Sequence, residues 1–153
     1  MEISVSLPLD AGGFLRRQCA SCGREFKWHH GPTEGRPADF VDPPVYFCPY
    51  CSKAAPSNEW LTAAQREHLL AAAARPARQL LTDALEEMAR NVSRGPLKMS
   101  VDPGEEPAGP EPLHEPSDMT AVASPCHPWE PIKVASDWAS PIHCLVCGRV
   151  FAT

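Results

Sequence analysis

Six of the seven cysteines fall in three Cys-x-x-Cys pairs, namely Cys19 with Cys22, Cys48 with Cys51, and Cys144 with Cys147. Two thiolates at this spacing face one point from a tight turn, which is a ligand geometry for a borderline-soft metal ion. The first two pairs, separated by 25 residues, together supply four sulfurs. Four thiolates around Zn²⁺ at about 2.3 Å close its coordination shell, so such a centre staples a fold and leaves no position for Lewis-acid chemistry. The third pair has only Cys126 to join it, so its fourth ligand must be of another type. His127 is the first choice, on the arm opposite Cys144 and Cys147. His143 next to a ligand, His114 further upstream, or a solvent or substrate molecule are the alternatives. The expectation is two zinc ions per chain, one on Cys19, Cys22, Cys48 and Cys51, the other on Cys126, His127, Cys144 and Cys147.

Short strands must carry these turns. Glu25 to His29 alternates polar with aromatic side chains, as a half-buried strand does, and Pro44-Val45-Tyr46-Phe47 leads as a second strand into the Cys48 turn. Glu130 to Val134 reads as a strand between the arms of the second cluster, and Arg149-Val150-Phe151 returns after Cys147. Gly23 and Pro49 suit the turns themselves. Trp129 and Trp138 are candidates to cover the second centre, or to anchor a partner. The loop from His30 to Pro44 is longer than a minimal ribbon needs, and is either a connection or a recognition surface.

With CASCGREF and VYFCPYC as its two knuckles, the first cluster resembles the zinc-ribbon superfamily, and the Cys144 to Gly148 turn resembles it as well. The first cluster is also similar to rubredoxin in its Cys-x-x-Cys-Gly, aromatic, Cys-Pro-x-Cys order, although Ser52 stands where the second knuckle usually has glycine. The zinc-ribbon resemblance implies small, metal-held antiparallel ribbons without catalysis. The rubredoxin resemblance implies an iron electron carrier.

The chain has 153 residues, 18 of them proline, with 14 Lys and Arg against 19 Asp and Glu. Proline is at more than twice its usual share of about 5%. The acidic excess lies in residues 96–125, where one basic side chain meets six acidic ones among seven prolines. Such a segment cannot bury enough surface to offset its ordering entropy and is expected to be a disordered acidic linker, a spacer or a docking segment for a basic partner. The expected organisation is a first ribbon at 10–57, a helical segment at 58–95, the linker at 96–125 and a second ribbon at 126–153. The fold class is small α+β, with two metal-stabilised antiparallel β ribbons joined by a helical hairpin or kinked helix and the linker. Each ribbon is too small to fold on apolar burial alone, and metal supplies the difference.

Thr62-Ala63-Ala64-Gln65 is a capping box opening an alanine-rich helix, which Pro76 should kink or stop before a second helix to about Asn91. Leu81, Leu85, Met88 and Val92 form a narrow apolar stripe. It would pack on the first helix or a ribbon, or serve as a homodimer seam or a groove-binding face.

No Gly-rich phosphate loop, metalloprotease helix or nucleophile elbow is present, so an enzyme is not expected. The basic residues Arg16, Arg17, Arg24 and Lys27, with His29 and His30, interleave with Phe14, Phe26 and Trp28 as a nucleic-acid face would. An acidic chain argues against that and for a protein partner. The start MEISVSLPL has neither a basic lead nor a full apolar run, and reduced cysteines suit a cytoplasmic, membrane-free protein. The expected function is a non-catalytic zinc-binding adaptor. A nucleic-acid-binding regulator, an iron electron carrier and a redox-switched zinc protein are the alternatives.

Overall fold

The computed structural model describes residues 4–151 and contains two compact units, one built on Ala64–Leu113 and the other on Leu7–Ala63 with the chain from His114 onward.

In the second unit, β1 (Phe14–Gln18) turns back antiparallel on β2 (Glu25–His29), with Leu15 opposite Trp28 and Arg17 opposite Phe26. Asp10 fixes the approach to β1, its Oδ1 accepting from the N–H groups of Gly12 and Phe14 at 2.9 and 3.1 Å. A two-residue pair, β3 (Tyr46–Phe47) with β4 (Ala54–Ala55), brackets the Cys48 turn. Further along the chain come helix α1 (Ala63–Val92) and strands β5 (Met119–Val122), β6 (Ile132–Ala135), β7 (Ile142–His143) and β8 (Val150–Phe151). Strands β7 and β8 bracket the Cys144 turn.

The two expected ribbons are not separate. Strand β6, on the second cluster's arm, pairs with β2 of the first, and β5 pairs with β6, giving one antiparallel sheet in the order β1-β2-β6-β5. The reason is apolar surface. Each ribbon alone would leave half a sheet face wet, whereas joined they bury Leu15, Phe26, Trp28, Ile132 and Val134 against Tyr50, Trp60, Ile142 and Leu145 in one core. The rings pack edge to face, with Phe26 at 5.6 Å from Trp60 and 6.5 Å from Tyr50. The Tyr50 hydroxyl donates to the Glu25 carbonyl at 2.8 Å and accepts from the Ala135 N–H at 2.9 Å, tying the Cys48 turn to both β2 and β6.

The other sheet face is ionic. Register places Arg16 opposite Lys27 and Lys27 opposite Lys133, three cations in a row that would repel one another. Acids from outside the sheet cancel them. Lys27, 0% exposed, lies 3.3 Å from Asp10, 2.9 Å from Glu115 and 3.1 Å from Asp118, while Lys133 meets Asp10 at 2.6 Å and Arg16 meets Asp118 at 2.7 Å. Burial works against the charge on Asp10, but hydrogen bonds from Lys133, Phe14, Gly12 and Lys27 hold its carboxyl far below the usual range.

Residues 114–122, expected in the linker, are thus part of the sheet unit. Composition reads them as an acidic spacer because their partners, Arg16 and Lys27, lie about a hundred positions away in the sequence. Residues 96–118 form neither helix nor strand.

In the other unit α1 is continuous, and the hairpin does not form. Pro76 sits inside it, removing one backbone bond, and strong helix formers on both sides, Ala71–Ala74 and Ala77–Leu81, carry the helix through. Without a second helix the stripe is uncovered at Leu81 and Met88. The acidic segment lies back on the basic residues of this helix, with Arg75 on Glu106 at 3.1 Å, Arg78 on the Glu105 carbonyl, and His68 at 2.8 Å from the Glu111 carbonyl. No helix among the described residues is long and apolar enough to cross a membrane.

Candidate metal centres

The three Cys-x-x-Cys turns share one backbone design. The first cysteine's N–H donates to the carbonyl five residues on (Cys19 to Arg24, Cys48 to Lys53, Cys144 to Arg149), and its own carbonyl accepts from the N–H four residues on, at Gly23, Ser52 and Gly148. Closing so tight a loop forces that fourth position into the left-handed region, with φ of 71° at Gly23, 61° at Ser52 and 71° at Gly148. Glycine fits there without a penalty. Ser52 is the one non-glycine residue with positive φ among those described.

The first turn meets the second. Cys19 Sγ lies 3.7 Å from Cys51 Sγ and Cys22 Sγ lies 3.8 Å from Cys48 Sγ. Four sulfurs each about 2.3 Å from a tetrahedral ion have edges of about 3.8 Å, so the arrangement fits zinc, or iron of similar radius. Burial pushes the Cys48 thiol well up. Burial also opposes ionisation of Cys19, but the N–H groups of Cys22 and Ser21 and the neighbouring Cys48 and Cys51 bring it down. A metal entering such a cluster displaces protons from the sulfurs.

At the second cluster the structure brings Cys126, His127, Cys144 and Cys147 together, with their ligand atoms all within 4.8 Å of one another. Cys126 and Cys147 sulfurs are 3.4 Å apart, and His127 Nδ1 is 3.3 Å from Cys144 Sγ. Of the alternatives for the fourth position, His143 places Nδ1 3.1 Å from the Pro49 carbonyl, and His114 is exposed and outside the cluster. Adjacent residues 126 and 127 both reach in because Ser124, which sequence reasoning missed, shapes their turn. Its buried hydroxyl accepts from the His127 N–H at 3.1 Å and donates to Cys144 Sγ at 3.2 Å. Burial opposes ionisation of Cys126, yet Ser124, Cys147, His127 and Cys144 around it lower the thiol to about 6, whereas burial raises Cys144 to about 11. No spacing rule flags a serine two residues before a ligand.

Trp129 stands edge-on to His127 at 5.3 Å, as a cover of this centre should. Trp138 instead packs on Tyr50 at 4.7 Å, with Arg24 over its ring at 4.8 Å, on the side of the first centre.

The two clusters touch through their turns. The Phe47 N–H donates to the Leu145 carbonyl and the His143 N–H to the Pro49 carbonyl, both at 2.9 Å. Each bond runs from the residue before one turn's first cysteine to the residue after the other's, so the Cys48 and Cys144 turns are related as a two-fold pair. Comparison of the chain with models of protein families, with curated proteins and with solved structures finds no match to any of them.

Proposed function

We propose that the protein is a non-catalytic, double zinc-ribbon interaction module, holding two zinc ions on Cys19, Cys22, Cys48, Cys51 and on Cys126, His127, Cys144, Cys147, and serving as an adaptor for a protein partner. The observation that carries this reading is that each cluster gathers four candidate ligand atoms, all within 4.8 Å of one another. A closed tetrahedral shell supports a structural role and leaves substrate no access to the metal.

A protein partner is preferred to nucleic acid on charge. Two of the four basic residues that would track a phosphate backbone, Arg16 and Lys27, are occupied by Glu115, Asp118 and Asp10 in the chain itself. With β6 hydrogen-bonded to β2, the two ribbons would present one joint surface in place of two tethered ones.

Elemental analysis and the visible spectrum of protein purified without chelator test the metal. Two colourless zinc ions per chain agree with the proposal, and one red iron in the first cluster would replace it with electron transfer. Reversible zinc loss under mild peroxide would favour a redox switch. Crosslinking of the zinc-loaded chain in its native extract, with the stripped chain as control, tests the adaptor role. The reading fails if nothing is captured in a zinc-dependent way.

A further inference from the structure

Beneath the loop 30–44 lies a cleft of about 510 Å³, lined among others by Arg17, Trp28, His30, Arg36, Tyr46 and Glu130. Its walls are tied to one another by side chains of the protein itself. The Thr33 hydroxyl donates to the Trp129 carbonyl, and Arg36 bridges Glu130 at 2.9 Å and Asp42 at 3.0 Å, so the loop is pinned across the space it covers. A pre-formed cleft of this size accepts a small molecule or a few residues of chain with little ordering cost.

Arg17 is a cation on the wall of this cleft. Its guanidinium lies over the Trp28 ring at 4.3 Å, which fixes its position, and its Nε is buried with no hydrogen-bond partner. Among the described residues no carboxylate pairs with it. The nearby acids are engaged elsewhere. Glu130 is spent on Arg36, and Asp42, 64% exposed, also accepts from the Tyr46 hydroxyl at 3.1 Å and is screened by water. A guanidinium fork matches a carboxylate in charge and shape, and its Nη groups, unlike the enclosed Nε, are the donors open to the cleft. Beside it, the Trp28 and Tyr46 rings, 5.1 Å apart, offer an apolar wall.

We infer that this cleft is a binding site for a single carboxylate carried next to an apolar or aromatic group, with Arg17 receiving the carboxylate and Trp28 and Tyr46 the apolar body. A free aromatic acid and the C-terminus of a protein chain share that chemistry. The site lies outside both metal clusters and does not depend on the adaptor role.

The test is titration of the full, zinc-loaded chain with N-acetylphenylalanine, followed by the NMR signals of the Arg17 Nε–H and the Trp28 indole N–H. Both signals are expected to move saturably, and the primary amide of the same compound is expected to bind about tenfold or more weakly, since it lacks the charge-assisted pair. A triglycyl-phenylalanine peptide separates the sources. Binding about tenfold tighter than the single residue assigns the site to a protein C-terminus, and equal binding assigns it to a free acid. The substitution Arg17→Met keeps an apolar stem on Trp28 and is expected to abolish binding. Equal affinity for acid and amide, tighter binding of inorganic phosphate, or unchanged binding by Arg17→Met would each overturn the assignment. If Arg17→Met does not load zinc, the acid and amide compared on the unaltered chain decide the matter alone.

Discussion

The ring of Phe47 lies so close to Gly148 that a Cβ at position 148 would stand 2.7 Å from its Cδ1. This contact joins the two candidate metal clusters, since Phe47 precedes Cys48 and Gly148 follows Cys147. The same backbone position recurs at Gly23, where a Cβ would meet nothing within 4 Å, and at Ser52, which already carries one. Three equivalent positions with three surroundings separate backbone strain from packing.

Gly23→Ala should cost about 1 kcal/mol, the penalty of a left-handed alanine. Gly148→Ala should cost about 3 kcal/mol, because crowding against Phe47 adds to the same strain. Ser52→Gly should stabilise by about 0.5 kcal/mol. Denaturant unfolding of the zinc-loaded chains measures all three, and equal costs at 23 and 148 would refute the role given to Phe47.

The ligand assignment at the second cluster is tested by cobalt substitution. His127→Ala should lower affinity at that cluster by at least about tenfold and alter its visible band, as loss of one ligand in four requires. His143→Ala should leave the band unchanged, because His143 Nδ1 faces the Pro49 carbonyl. A band altered by the second substitution and not by the first would exchange the two histidines.

The three Cys-x-x-Cys turns were legible in the sequence because such a turn is local, fixed by hydrogen bonds that span four or five residues. Strand β2 was legible for a similar reason, its alternation from Glu25 to His29 marking two unlike faces. The joining of β2 to β6 was not, since it sets Lys27 opposite Lys133, a pairing that looks repulsive until Asp10 is placed between them. The acidic segment misled in the same way. Its carboxylates appear solvated in composition, whereas Glu115 and Asp118 neutralise buried cations far away in sequence. Pro76 reads as a local break, and the propensity of its neighbours outweighs it.

Asp10, with a side chain 0% exposed and within 3.3 Å of two lysines, should be costly to neutralise. Asp10→Asn is expected to destabilise the zinc-loaded sheet unit by about 3 kcal/mol, the lower end for breaking a buried pair, because Lys27 keeps Glu115 and Asp118. The folded carboxyl is depressed below its ordinary 3.8, so its contribution is complete above that value and is lost only as pH falls through the folded value. The gap between wild type and variant should therefore stay level from pH 8 to pH 5 in excess zinc. A gap that changes between pH 7 and pH 5 would overturn this, since a carboxyl depressed below 3.8 is ionised throughout that range in the folded and unfolded chain alike.

The paired bonds between Phe47 and Leu145 and between His143 and Pro49 make each metal turn part of its neighbour's support. Each bond contributes about 0.5–1.5 kcal/mol, so ordering one turn should favour the other by about 1–3 kcal/mol, which is roughly tenfold in metal affinity near the lower end of that range. Cys147→Ser disables the second cluster without touching a ligand of the first, yet it should weaken zinc at Cys19, Cys22, Cys48 and Cys51 about tenfold in a chelator competition. Coupling free energies are mutual, so Cys22→Ser must weaken the second cluster by a similar factor. Retention of first-cluster affinity within about twofold in Cys147→Ser would mean that the clusters fill independently and that the shared bonds form whether or not metal is bound.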